Sequence, residues 1–193
     1  MRLKIETEIK LRLEGKLGKV RRRLQKAGLH VTKPRVKESN CLFDTAKCTL
    51  RKQGKLIRVR VTNGKTILTY KGPAQASKYK QRPEIEIELR DSNRIEEIFE
   101  QMGYRPVFRY EKFRTEYSNS PASGKVLLDE TPIGNFLEIE GSPRWIDRIA
   151  KLLGFSPHDY ITHSYGYLYL AYCREKRIRP TDMVFQNQRA KKQ

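Results

Sequence analysis

Three short segments of this chain set acids on alternate positions: Glu6-Thr7-Glu8-Ile9-Lys10, Glu84-Ile85-Glu86-Ile87-Glu88 and Glu138-Ile139-Glu140. A period of two is that of a β-strand, so each segment lines its carboxylates along one face. Bases alternate the same way in Leu56-Ile57-Arg58-Val59-Arg60 and Tyr110-Glu111-Lys112-Phe113-Arg114. A solvated sheet face explains any one such strand. Separate rows of acids and of bases, repeated along the chain, call for a ligand that uses both. A polyphosphate carried with divalent metal does: carboxylates hold the metal, and guanidinium and ammonium groups hold the phosphate oxygens.

The remaining periodicities supply the scaffold. Residues 3–13 alternate as a strand. Residues 15–28 switch to helical spacing through Leu17, Val20, Leu24 and Ala27 and stop at Gly28. Strands are predicted near 38–43, 47–53, 56–62 and 66–71, the last two joined at Asn63-Gly64, a pair that tolerates positive φ. Pro34 interrupts the segment before them, and residues 72–81 read as a loop. After a strand at 83–90, the candidate caps Asp91, Ser92 and Asn93 open a helix through Ile95, Ile98, Phe99 and Met102 to Gly103. Strands follow at 107–117, 125–130 and 135–141. Ser142-Pro143 opens a helix ending at Gly154, Ser156-Pro157 repeats that device, and 163–175 is a tyrosine-rich helix. The expected fold is α+β: an eight-stranded antiparallel β-barrel with charges inward as a tunnel and apolar outer faces covered by helices. Residues 1–175 make one domain, and 176–193 a basic, flexible tail, poorly ordered beyond Pro180.

Composition narrows the partner. The chain has 193 residues and a formal net charge of +19, which suits an anion. Residues 16–26 carry six bases and no acid. The rival reading is a nucleic-acid-binding module; it has no use for a set of inward acids, which phosphate would repel. The basic helix reads as a solvated face. Three cysteines, Cys41, Cys48 and Cys173, lack zinc-ligand spacing and fit reduced thiols. No apolar leader opens the sequence and no apolar run reaches membrane-spanning length, so a cytoplasmic protein without membrane contact is expected. Nothing in the sequence decides between a monomer and a homodimer.

The candidate site residues follow from the strand faces. Glu6, Glu8, Glu84, Glu86, Glu138 and Glu140, with Asp129 ending Val126-Leu127-Leu128-Asp129, form the acidic, metal-holding set. Lys10, Arg58, Arg60, Lys71, Arg82, Lys112 and Arg114 form the basic, phosphate-holding set. Equal numbers of each, plus a triphosphate and two divalent ions, leave the buried assembly near neutrality. Gly64-Lys65-Thr66 resembles the end of a phosphate-binding loop, but Val59 stands where its first glycine belongs, and His30, His158 and His163 form no nucleophilic triad. Most tyrosines at 160, 165, 167, 169 and 172 read as packing residues.

Glu6-x-Glu8-x-Lys10 resembles the opening signature of the CYTH superfamily, the triphosphate tunnel metalloenzymes. The resemblance continues through Arg58-x-Arg60, Lys71-Gly72-Pro73, Arg82-x-Glu84-x-Glu86, Lys112-x-Arg114, Asp129 and Glu138-x-Glu140, in order, over about residues 1–172. It implies metal ligation by Glu6, Glu8, Asp129, Glu138 and Glu140 and phosphate binding by Lys10, Arg58, Arg60, Lys71, Lys112 and Arg114. Lys10, Glu6 and Glu8 are the expected catalytic groups, Mg²⁺ or Mn²⁺ the expected cofactor, and ATP, thiamine triphosphate or tripolyphosphate the candidate substrates. The stretch Phe108 to Tyr117, with Leu128 to Gly134, is most similar to class IV adenylyl cyclases. That likeness implies formation of cyclic AMP and pyrophosphate, with a triphosphatase as the alternative.

Overall fold

A computed structural model describes residues 4–75, 77–90, 92–120 and 123–186. Eight strands close into one antiparallel barrel: β1 (Lys4–Leu13), β2 (His30–Thr45), β3 (Leu56–Thr62), β4 (Lys65–Lys71), β5 (Lys80–Leu89), β6 (Tyr104–Ser118), β7 (Gly124–Thr131) and β8 (Gly134–Gly141). Around the barrel they run β1-β5-β4-β3-β2-β6-β7-β8. Closure leaves no free edge, so the polar backbone is paired all round.

The apolar residues of these strands face outward and are covered by helices. α1 (Leu17–Lys26) and α4 (Pro143–Leu152) lie over β1, β7 and β8, burying Ile9, Leu11, Val126, Leu128, Leu137 and Ile139 against Leu24, Trp145, Ile146 and Ile149. α3 (Ser92–Gln101) brings Phe99 onto Phe43 and Val59. α5 (Tyr165–Lys176) sets Tyr165, Leu168 and Tyr169 against Tyr110, Ile133 and Phe136, which fills the aromatic end of the barrel. Each fully covered Leu or Ile contributes about 1.5–3 kcal/mol.

Local chemistry explains the boundaries. Asn63 and Gly64 adopt φ of 46° and 73° and close β3–β4 through a two-residue turn, as the pair requires. The Ser142 hydroxyl accepts from the Trp145 amide and Pro143 follows at the first helical position. The expected strand at 47–53 is instead a single helical turn, α2 (Thr49–Lys52). The Asp44 carboxylate accepts from the Leu50 and Arg51 amides at 2.9 Å each and tethers that turn. Pro34 does not interrupt β2: the strand runs through it, and its pairing with β6 slips between Lys33 and Val36, an irregularity that accommodates a residue with no amide proton. β5 begins at Lys80, inside the expected loop. Asp91 lies outside the described residues.

The disorder expected beyond Pro180 does not hold for residues 181–186. Asp182 accepts from the Arg109 amide at 2.7 Å. Met183, 1% exposed, exchanges backbone hydrogen bonds with Arg109 and Glu111, and Phe185 packs on Phe113.

Candidate active site

Strand register assembles the inner wall. β1 sets Glu8 opposite Glu140 and Lys10 opposite Glu138 on β8, and β5 sets Glu84 opposite Lys71 on β4. β6 sets Arg114 opposite Asp129 on β7. Together these strands surround a cavity of about 870 Å³, large enough for a small phosphorylated ligand.

Carboxylates gather on one side. Glu6, Glu8 and Glu140 bring ligand oxygens within 4.8 Å of one another. Hard oxygen donors at this spacing suit Mg²⁺ or Mn²⁺. The crowding shows in neighbouring ionisation: burial, with Glu6 beside it, lifts the Glu84 carboxyl to about 7 against the pull of Lys71. Burial likewise raises Glu140, which faces Glu6, Glu8 and Glu138 with Lys125 as its counter-charge. A divalent cation would relieve this repulsion, so the residues fit the metal the signature implies.

Bases are threaded between the acids. Lys10 Nζ lies 3.1 Å from both Glu8 and Glu138. Burial works against its charge, but the two carboxylates outweigh it and raise its pKa. Lys71 pairs closely with Glu6 and lies 3.0 Å from Glu84. Arg58 and Arg60 share Glu86 at 3.1 and 3.2 Å. Arg114 grips both Asp129 oxygens at 2.6 Å and also contacts Glu138. Lys112 lies 2.9 Å from Asp129.

The expected residues take different stations. Glu6, Glu8, Lys10, Arg58, Arg60, Lys71, Glu84, Glu86, Lys112, Arg114, Glu138 and Glu140 all reach the cavity. Asp129 is fully buried, its carboxylate engaged by Arg114, Lys112 and the Tyr165 hydroxyl. It acts here as the counter-ion that holds two bases in place. Arg82 also reaches the cavity, yet its guanidinium donates to the carbonyls of Gly72, Gly54 and Lys71 at 2.9, 3.1 and 3.3 Å. That contact fixes the β4–β5 connection. Lys80 was absent from the sequence reading; its Nζ lies 2.7 Å from Glu8. Its signal was present: it extends the alternation of Arg82, Glu84 and Glu86 by one step. Glu38 was also absent, since it belongs to no alternating charged run, and Tyr165, expected only to pack, donates its hydroxyl to Asp129.

The sequence matches the CYTH domain over residues 4–165. A protein of Methanocaldococcus jannaschii named as a candidate adenylate cyclase is 31% identical over 149 residues, 77% of this chain and 83% of that one. A candidate adenylate cyclase from Vibrio parahaemolyticus shares the fold at a TM-score of 0.74 and 21% identity, over 86% of this chain and 98% of that chain. An adenylyl cyclase candidate from Hippeastrum with a dominant triphosphatase activity shares it at 0.59 and 19%, over 91% and 98%. Barrel, ionic lining and sequence match agree: the chain belongs to the CYTH domain family.

Proposed function

We propose that this protein is a divalent-metal-dependent enzyme that processes a triphosphate inside the barrel. The observation that carries the reading is the shared cavity. A carboxylate cluster built for a hard cation adjoins Lys10, Arg58, Arg60, Lys71, Lys112 and Arg114, all facing the same space. Arg58, Arg60, Lys112 and Arg114 come from β3 and β6, the strands that flank β2 across the barrel from β1, and would spread along a chain of phosphates.

Mg²⁺ or Mn²⁺ would be held by Glu6, Glu8 and Glu140, with Glu84 and Glu138 adjacent, and when bound supplies Lewis-acid polarisation of phosphate oxygens. The protein's own bases do the rest: they orient the triphosphate and neutralise charge as it moves onto the leaving group. Each base is already positioned by a carboxylate, so little reorganisation is needed during reaction.

The first reading is an adenylyl cyclase, favoured by the similarity to the Methanocaldococcus protein. In it the ribose 3′-oxygen bonds to the α-phosphorus, loses its proton, and the bond to pyrophosphate breaks. The second is a triphosphatase, favoured by the Hippeastrum neighbour, in which water bonds to the terminal phosphorus, its bond to the bridging oxygen breaks, and the diphosphate leaves as orthophosphate forms. Incubation with ATP, thiamine triphosphate and tripolyphosphate, with Mn²⁺ and then with EDTA, decides between them by chromatography. Cyclic AMP and pyrophosphate in equal amounts from ATP support the cyclase; orthophosphate with the matching diphosphate, and no cyclic AMP, supports the hydrolase. Turnover unaffected by EDTA overturns the metal-dependent reading. Among the described residues no helix is long and apolar enough to cross a membrane.

A further inference from the structure

Glu38 is a buried carboxylate that the metal cluster does not use. It sits on β2, 5% exposed, opposite Lys112 on β6 and beside Arg60 of β3. It does not reach the cavity lining. Its oxygens lie 3.6 Å from Arg60 Nη1 and 3.6 Å from Lys112 Nζ. These are ion pairs beyond hydrogen-bond length. Asp129 is different: it locks Lys112 and Arg114 with bonds of 2.6–2.9 Å.

The neighbourhood of Glu38 is held by charge more than by hydrogen bonds. Glu38 Oε2, both amide atoms of Asn40, and Nε of Arg58 and Arg60 are buried without a hydrogen-bond partner among the described residues. Burial opposes the Glu38 charge, but Arg114, Lys112, Arg60 and Arg58 outweigh it and hold the carboxyl at about 2. One permanent negative charge thus stands among the four bases most suited to grip phosphate, without tying up their donors.

A carboxylate in that position opposes the ligand as much as it steadies the wall. Like charges brought together in a desolvated site cost several kcal/mol. Four bases without it, Arg58 and Lys112 buried and Arg60 and Arg114 half-buried, would bind any phosphate tightly, products included. We propose that Glu38 is a positioning residue that weakens the phosphate wall's hold on anions, so that phosphate products leave. This rests on the triphosphate reading above and adds to it a control on release.

The test compares wild type with Glu38→Gln, Glu38→Met and Glu38→Asp. Lys112 keeps Asp129 and Arg60 keeps Glu86 in every variant, and melting curves confirm folding. The probe is sodium tripolyphosphate in EDTA, titrated by calorimetry, followed by inhibition of turnover by pyrophosphate and orthophosphate. Loss of the charge should tighten tripolyphosphate and product binding by roughly tenfold or more. KM and kcat should fall together, because release becomes slower. Glu38→Asp should behave as wild type. Met, which leaves no orphaned amide, must act like Gln. Unchanged or weaker anion binding in folded Gln and Met variants overturns the inference and leaves the triphosphate reading standing. Failure of wild type to bind tripolyphosphate at all removes both.

Discussion

The Tyr165 hydroxyl donates to Asp129 Oδ2 at 2.7 Å, tying the first turn of α5 to the carboxylate that holds Lys112 and Arg114. The same ring lies 5.3 Å from Lys10 Nζ and 5.1 Å from Lys112 Nζ. One tyrosine therefore meets both sides of the charge network. Tyr165→Phe keeps the ring and removes one hydrogen bond to a charged group, which costs about 1.5–3 kcal/mol. The melting temperature should fall by several degrees while turnover drops only a few-fold, since Asp129 keeps Arg114 and Lys112. A change in activity without a change in melting would show that the hydroxyl touches substrate.

Two acids of the expected metal set should separate cleanly on substitution. Asp129→Asn takes from Lys112 its hydrogen-bonded counter-charge and from Arg114 the charge behind two of its three contacts, in a buried site, a loss of about 3–5 kcal/mol. Glu140→Gln removes a charge from a crowded cluster and should leave the melting temperature unchanged or raised, with turnover nearly abolished. Thermal melts and single-turnover rates on both variants check this. Equal destabilisation would mean that Glu140 is structural.

The pH dependence follows from Glu84. Its folded pKa, about 7, lies above its ordinary value of 4.5. The protein therefore holds that proton more tightly folded than unfolded, and the associated stability is full below pH 4.5 and lost as pH rises through 7. Metal-free Glu84→Gln should match wild type near pH 5 and become relatively more stable by pH 8. Glu38, held at about 2, acts in the opposite sense: its contribution is present above 4.5 and lost on acidification. A constant difference between wild type and Glu84→Gln across pH 5–8 would remove the Glu84 assignment.

Truncation after Pro180 tests the docked C-terminal segment. It removes the buried Met183, its two backbone hydrogen bonds to Arg109 and Glu111, and the Asp182 contact. Covering one Met side chain alone contributes about 1.5–3 kcal/mol. A clear fall in melting temperature is expected, and Met183→Asp should reproduce it. An unchanged melt would mean that the segment adds nothing to the barrel.

The sequence was most legible where alternation and burial coincide. In β1, Ile9 and Leu11 on one face and Glu8 and Lys10 on the other leave a single arrangement for a closed sheet. β2 was legible only in its second half, because its first half is largely exposed and carries Pro34, so it shows no apolar period. Residues 47–53 imitate a strand in composition, but the αL conformation of Cys48 and the Asp44 tether make them a turn. Lys80 was hidden by its polar, loop-like surroundings. Glu38 was hidden because its inward neighbours, Val36, Asn40 and Leu42, are uncharged. A lone acid becomes conspicuous only when β3 and β6 bring their bases beside it.

β1 pairs with β5 on one side and with β8 on the other, and Lys10 exchanges both backbone hydrogen bonds with Ile161 at 2.9 Å. The first strand synthesised thus waits for nearly the last residues of the barrel before it is enclosed. At ribosomal speed that interval is on the order of ten seconds. During it, Glu6, Glu8 and Lys10 stay hydrated and Ile9 and Leu11 lack their cover. Closure must then dehydrate acids and bases together, in matched register, over a long chain separation. Such topology favours slow folding after release from the ribosome, and the opposite charges that line the finished cavity first serve to align the seam.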